Sequence, residues 1–414
     1  MLESQLQFRD AKDQPEAGLL LACARTQVTP EIADRIQAAV RKGIDWLALI
    51  RLAMRHDVMP LLYRNLQQVC PNSVPKNILE PLRARYEGQA VQARRHTEEL
   101  VRVVSLMEAD GIFVVPYKGP ALAQRLYGDL ALREFGDLDI IIRGRDVQKA
   151  QNLILSSGYD FAPLFGHLEH GDTLAVEVRK GHEVRYYHGS DHTRRIELHW
   201  RFAMPLACVK DDPERFFQRI ERIGLAGKQV SSLSLEVYFL ILCLHATKHK
   251  WRQLKLICDI AEILRRTDID WNYVLREADD LGLKRMLAVG ALLAEDLLDV
   301  VVPAPLAHGL QFDRMARALA AEVRLSFFEE PDKDWLDQAH FSFQVKIRER
   351  FRDRATMLCR NLPAKLSPDE RDRDFLPMPD SFSSMYFLVR PVRWAWEKMN
   401  ARYRRTTSVS PGLP

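Results

Sequence analysis

The stretch REFGDLDIII, residues 133–142, sets Asp137 and Asp139 one residue apart at the mouth of an apolar run. If the run is a strand, its two-residue period sends both carboxylates to one face, with Cα atoms roughly 6.5 Å apart. Two anions at that separation repel by about 2.5 kcal/mol at an effective dielectric near 20, so positive charge is expected beside them. A third acid, Glu197, sits in RIELHW, where extended geometry puts Glu197 and His199 on one face and Ile196, Leu198 and Trp200 on the other. Upstream, YKGPALAQRLYG passes from a strand end into a helix through Lys118 and Gly119. Unpaired backbone N–H groups and the positive dipole end at such a turn hold phosphate, and a glycine lets the ligand approach the main chain. Magnesium takes oxygen ligands from one or two carboxylates, phosphates and water. Three acids on adjacent strands can hold two ions about 3.5–4 Å apart, one activating an acceptor oxygen and one bridging a triphosphate.

A D-x-D pair alone is weak. The chain has two others: Asp268/Asp270 opens a helix in TDIDWNYV, and Asp372/Asp374 lies in a polar linker. Only the 137/139 pair leads a strand-like run and has both a Lys-Gly turn and a further acid to join it.

Other residues carry two readings each. Lys118 is a point charge for phosphate or a lysine snorkelling from a strand end. Arg133 clamps phosphate or pairs with Glu134 or Asp129. If LEVYFLILCLHATKHKWRQLKLICDIAEILRR is one long helix, Lys248, Arg252, Lys255 and Asp259 form a stripe opposite Ile257, Ile260, Ala261 and Leu264. That stripe is a solvated face, or it closes over the cleft so that Lys248 reaches the triphosphate. His245 and His249 have i,i+4 spacing, but no glutamate follows His245 as in H-E-x-x-H, so a structural or substrate-facing role is preferred to zinc. Glu177 rivals Glu197 as third carboxylate. His182, His188 and His192 read as surface polar groups.

These residues must be positioned by the elements around them. Residues 17–109 have helical periodicity interrupted at Pro60 and CPNSVP. GIFVVPYKG reads as a buried strand, PALAQRLYG as a short helix, DLDIIIR as a strand, and DVQKAQNLILSSG as a helix ended by Gly158. TLAVEVRKG, HEVRYYHGS and RRIELHWRF read as strands, and helices return from Ser234. A charged linker, SPDERDRDFLPMPDS, precedes a basic aromatic last helix that packs on the body through Trp394 and Trp396 in preference to lying on a membrane. The boundaries expected are a helical region over 1–109, an α/β core over 110–232, a cleft-closing helical domain over 233–300 and a helical extension over 301–414.

At 414 residues with 47% apolar and 28% charged side chains, the chain can bury a large core in two or three domains. A net charge of +4 spread along the sequence makes no demand for nucleic acid. Six scattered cysteines without a C-x-x-C pair suit reduced thiols. No secretory signal and no run of the roughly 18 apolar residues a bilayer span requires is found, so a cytoplasmic protein is expected.

YKGPALAQRLYGDLALREFGDLDIIIR, followed by IELHW and LHATKHKW, resembles a bacterial family of nucleotidyltransferases in the polymerase-β-like superfamily, often encoded beside exopolysaccharide or peptide-modification genes; the similarity runs over about residues 40–300. The resemblance implies an α+β fold, a small mixed sheet flanked by N- and C-terminal helical regions. It also implies two magnesium ions and transfer of a nucleoside monophosphate from NTP with release of pyrophosphate. By that resemblance Asp137 and Asp139 bind both metals, Glu197 completes the nucleophile-side ion, and Gly119 borders the triphosphate. The usual Gly-Ser pair is replaced here by Lys118-Gly119-Pro120, which leaves one phosphate contact unassigned. The acceptor, whether sugar, antibiotic, peptide or protein, is not legible, nor is the base. A metal-dependent glycosyltransferase and a non-catalytic nucleotide-binding scaffold are the alternatives.

Overall fold

The computed structural model describes residues 15–162, 182–189, 191–202, 213–311, 313–329 and 333–366, with scattered positions between 372 and 396. Glu177 and its strand-like stretch, the side chain of His192, and Trp394 lie outside the described residues. The chain forms two compact units, Met1–Arg350 and Phe351–Pro414.

The first unit opens with helices α1 (Pro15–Cys23), α2 (Pro30–Lys42), α3 (Trp46–Arg55), α4 (Met59–Val69) and the long α5 (Lys76–Ala109). Local chemistry sets their starts. The Thr29 side chain accepts from the Ile32 N–H ahead of Pro30, and Asp45 accepts from the Ala48 N–H. Then come β1 (Val114–Pro116), α6 (Gly119–Tyr127), β2 (Asp137–Ile142), α7 (Val147–Ser156), β3 (Tyr159–Ala162), β4 (Glu183–His188) and β5 (Asp191–His199). The five strands make one sheet in the order β1-β2-β5-β4-β3; β2 and β5 run parallel and the other neighbours antiparallel. The mixed sheet and its flanking helices establish an α+β fold.

A short α8 (Pro213–Phe217) leads to a hairpin that periodicity did not single out, β6 (Ile220–Leu225) and β7 (Lys228–Leu233). Its two-residue loop, Ala226–Gly227, has positive φ at both positions, the geometry whose twist matches that of paired strands.

Register decides what each sheet face carries. Asp139 is paired with Glu197 across β2 and β5, and Glu197 with Arg185 across β5 and β4; His199 is paired with Ile141 on one side and Glu183 on the other. Paired residues share a face, so the charged residues gather on one side. Leu138, Ile140, Ile196, Leu198, Val184 and Tyr186 take the other, in a core closed by α5 and α7. The charged face lies toward the helical layer, whose larger core includes Val115, Tyr117 and Ile141 from the sheet.

The helical layer is α9 (Leu235–Lys248), α10 (Leu254–Leu264), α11 (Trp271–Leu281), α12 (Lys284–Leu298), α13 (Ala304–Leu310), α14 (Arg314–Ser326) and α15 (Lys333–Lys346). The single long helix expected from Ser234 onward is two. Lys250 and Trp251 take φ of 51° and 56°, the left-handed region, and end α9. Trp251 is fully buried, and a β-carbon on Gly290 would stand 2.6 Å from its ring, so this glycine makes room for the indole. The break dissolves the basic stripe. Lys255 turns to Asp57 at 2.7 Å, and Asp259 is wholly buried.

In the second unit, α16 (Phe351–Leu366) is followed by Asp372, which was expected in a polar linker and is instead buried, with Arg393 Nε at 2.7 Å and Arg390 at 3.6 Å. Trp396 meets the ring of Phe375 at 5.5 Å between centroids. No helix among the described residues is long and apolar enough to cross a membrane.

Candidate active site

The Lys118–Gly119 turn is where β1 hands over to α6. Tyr117 N–H donates to the Asp139 carbonyl at 3.2 Å, which ties the turn to β2. Gly119 has φ of +54°, and a β-carbon there would stand 2.8 Å from the main-chain oxygen of Asp137. Two constraints therefore demand glycine at this position. Lys118 lies with its ammonium 4.9 Å from the centre of the Tyr117 ring and 2.8 Å from Asp139 Oδ1.

Asp139, Glu197 and His199, all buried, bring one ligand atom each within 4.8 Å of one another, the grouping of metal-ligating side chains found among the described residues. His199 Nε2 is 3.3 Å from Asp139 Oδ1 and 3.7 Å from Glu197 Oε2. His199 Nδ1 is 3.4 Å from Glu183 Oε2. Although only 2% exposed, His199 makes no hydrogen bond of ordinary geometry through either ring nitrogen. Two carboxylates and an imidazole with an uncommitted nitrogen are a donor set that suits a divalent cation.

Guanidinium groups complete the charge pattern. Arg185 bridges Glu183 at 2.8 Å and Glu197 at 3.0 Å, and Arg195 pairs with Asp137. Asp137 thus sits at the rim, on the same face as Asp139 and Glu197 but outside the cluster of three. Burial and the charges of Glu197 and Asp139 push its pKa up against the pull of Arg195. Asp139 is the opposite case. Burial favours its neutral form, but the Lys118 ammonium and the His199 ring outweigh burial and hold it well below the usual carboxylate range. Glu183 is likewise held low, against its burial, by His182 and His199. His199 itself is raised, because contacts with Asp139 and Glu197 overcome desolvation.

The end of α9 lies within electrostatic reach of this cluster. His245 is kept well below its ordinary pKa by burial and then by the Lys118 charge, and His249, 4.7 Å away between ring centres, is lowered to about 4 by burial and Lys248. Both rings are therefore neutral near pH 7. Lys248 is exposed at the same helix end, close enough for its charge to lower Glu183.

Several expectations need correction. Arg133 meets neither Glu134 nor Asp129: its guanidinium lies bidentate on Asp259 at 2.9 Å for both contacts, with Tyr127 Oη donating to the same carboxylate at 2.8 Å. Arg133 and Asp259 are 6% and 0% exposed, so the pair is a buried strut between the segment that leads from α6 into β2 and α10. His182 is no surface group either. It is buried, with Nε2 3.1 Å from Glu183 Oε2. His188 is half-buried with its ring edge-on to Tyr159. Sequence reasoning missed Glu183, Arg185 and Arg195. His199 was on the page, since alternation had already put it on the Glu197 face.

A family model described as uncharacterised nucleotidyltransferase matches residues 42–299. The match spans more than half of the chain, from α2 through the sheet and α9 to the end of α12, and the protein belongs to this nucleotidyltransferase family. No significant similarity to a curated protein or to a solved structure was found.

Proposed function

We propose that the protein transfers a nucleoside monophosphate from an NTP to an acceptor hydroxyl and releases pyrophosphate. The observation that carries this reading is the register pair Asp139 and Glu197 beside the Lys118–Gly119 turn, acids of the kind that bind metal next to a helix start of the kind that holds phosphate. Divalent cations, two by the family resemblance, would supply charge neutralisation at the transferring phosphate. The chain's own residues do the positioning. Asp139 and Glu197 would hold the cation with His199 beside them and Asp137 at the rim; the α6 N-terminus would face the triphosphate, and Lys118 would supply positive charge next to a phosphate oxygen. Lys248, exposed on α9, would meet the outer phosphates. The acceptor oxygen bonds to the α-phosphorus as the bond to the β-bridging oxygen breaks, and pyrophosphate leaves. The hydroxyl proton passes to solvent water.

The test is incubation with each labelled NTP, magnesium and a pool of small metabolites, followed by mass analysis for an added nucleoside monophosphate. Pyrophosphate release that depends on Asp139 supports the reading. Release of nucleoside diphosphate from a nucleotide sugar would point to a glycosyltransferase instead, and tight NTP binding with no metal dependence and no product would point to a scaffold.

A further inference from the structure

We propose that His199 is a nitrogen ligand to the divalent cation of this cleft, oriented from behind by Glu183, and that this nitrogen makes the position favour a first-row transition ion over magnesium. The inference rests on the transfer reading for the cation alone.

The geometry converges from both sides of the ring. One imidazole nitrogen, Nε2, faces the oxygens of Asp139 and Glu197. The other, Nδ1, faces Glu183 at 3.4 Å. A carboxylate behind an imidazole takes the proton-bearing nitrogen as partner and leaves the remaining lone pair for a metal, the arrangement that tunes metal-bound histidines generally. Glu183 is itself held in place by His182 and Arg185. The placement does not depend on rotamers alone, because Glu183 and His199 are register partners across β4 and β5. The Tyr117 ring stands edge-on to the imidazole at 5.2 Å and 87°, which sets its plane. Magnesium is served by oxygen donors, whereas imidazole suits the later first-row ions zinc, copper, iron and nickel, and manganese binds nitrogen more readily than magnesium does. A site with one imidazole among its donors therefore discriminates against magnesium.

Manganese is the probe, because its unpaired electrons report directly bound nitrogen. Titration of the wild-type protein with Mn2+ alone, followed by displacement with Mg2+, gives the ratio of affinities by electron paramagnetic resonance. Electron spin-echo modulation on the same samples detects imidazole nitrogen. The expected result is nitrogen coupling in the wild type and a preference for manganese over magnesium greater than that of His199→Gln. His199→Gln should lose the coupling and most of the preference. Glu183→Gln, which acts through the ring, should keep manganese binding but weaken it about 10–100-fold with an altered nitrogen coupling. Bound manganese without nitrogen coupling in the wild type overturns the proposal, as does no manganese binding at all, coupling that survives in His199→Gln, or an unchanged preference in that variant. The wild-type spectrum decides even if a variant does not fold. Because these measurements use no nucleotide, nitrogen coupling without pyrophosphate release from any NTP sinks only the transfer reading, while pyrophosphate release without coupling sinks only this one.

Discussion

Gly119 and Asp137 are pressed together through the main chain: a β-carbon on the glycine would stand 2.8 Å from the aspartate's carbonyl oxygen. No side-chain rotation relieves such a contact. Gly119→Ala should lose about 1–2 kcal/mol from the left-handed backbone alone. Because Asp137 must shift to accommodate it, turnover should fall about 100-fold, the usual effect of roughly an ångström of misplacement. Urea denaturation and pyrophosphate release measure the two effects; normal turnover in a stably folded variant would remove this turn from the phosphate site.

Asp139 meets Lys118 and His199 at once, and its loss should disable the cleft more than the fold. For Asp139→Asn we expect a fall in NTP turnover of about 1000-fold, matching several kcal/mol of lost metal stabilisation at about 1.4 kcal/mol per tenfold. Circular dichroism should stay native. Wild-type turnover in this variant would refute the transfer mechanism.

Arg133 separates a structural role from a binding one. If it is the strut to Asp259 described above, Arg133→Ala leaves a buried carboxylate without its partner and destabilises the protein by about 3–5 kcal/mol, seen as a lower urea midpoint. Asp259→Ala should do the same. A variant with unchanged stability and a raised KM for NTP would instead restore the phosphate-clamp reading.

His56 should make the protein acid-sensitive. Its Nδ1 accepts from the Leu254 N–H at 3.2 Å at the start of α10, and the ring stacks on Phe327 at 4.8 Å. Burial, with Arg55 nearby, lowers its pKa from 6.5 to about 3. The unfolded chain thus binds a proton that the folded one refuses, so this group's contribution is full above about pH 6.5 and declines as pH falls toward 3. His56→Asn keeps an acceptor near the Nδ1 position without the titration, and should flatten that part of the stability profile. An equally steep decline in the variant would assign the acid limb elsewhere.

The cleft was legible in outline because strand alternation is strict. Asp137 and Asp139 had to share a face, as did Glu197 and His199, and β2 and β5 proved to be parallel neighbours. What alternation cannot say is which strands adjoin. Glu183 and Arg185 become site residues only because β4 pairs with β5, a non-local choice, and Arg195 because its register places it against Asp137. The break between α9 and α10 was hidden for a related reason: apolar periodicity continues through HKWRQLKL, while the left-handed turn at Lys250 and Trp251 answers to the space beside Gly290, a residue 39 positions beyond Trp251. Arg133 found Asp259 across a still longer separation, 126 residues.

The side-by-side alignment of β2 with β5 also bears on how relatives of this chain can diversify. Deleting one residue from β5 ahead of Glu197 would turn Glu197 and His199 into the oily interior and bring Ile196 and Leu198 to the acids of β2. A change in length within these strands therefore scrambles the acidic face unless a bulge absorbs it, as the register shift at Tyr187 and His188 does between β4 and β5. Swapping side chains in place, or remodelling the segments that connect the strands, leaves that register untouched.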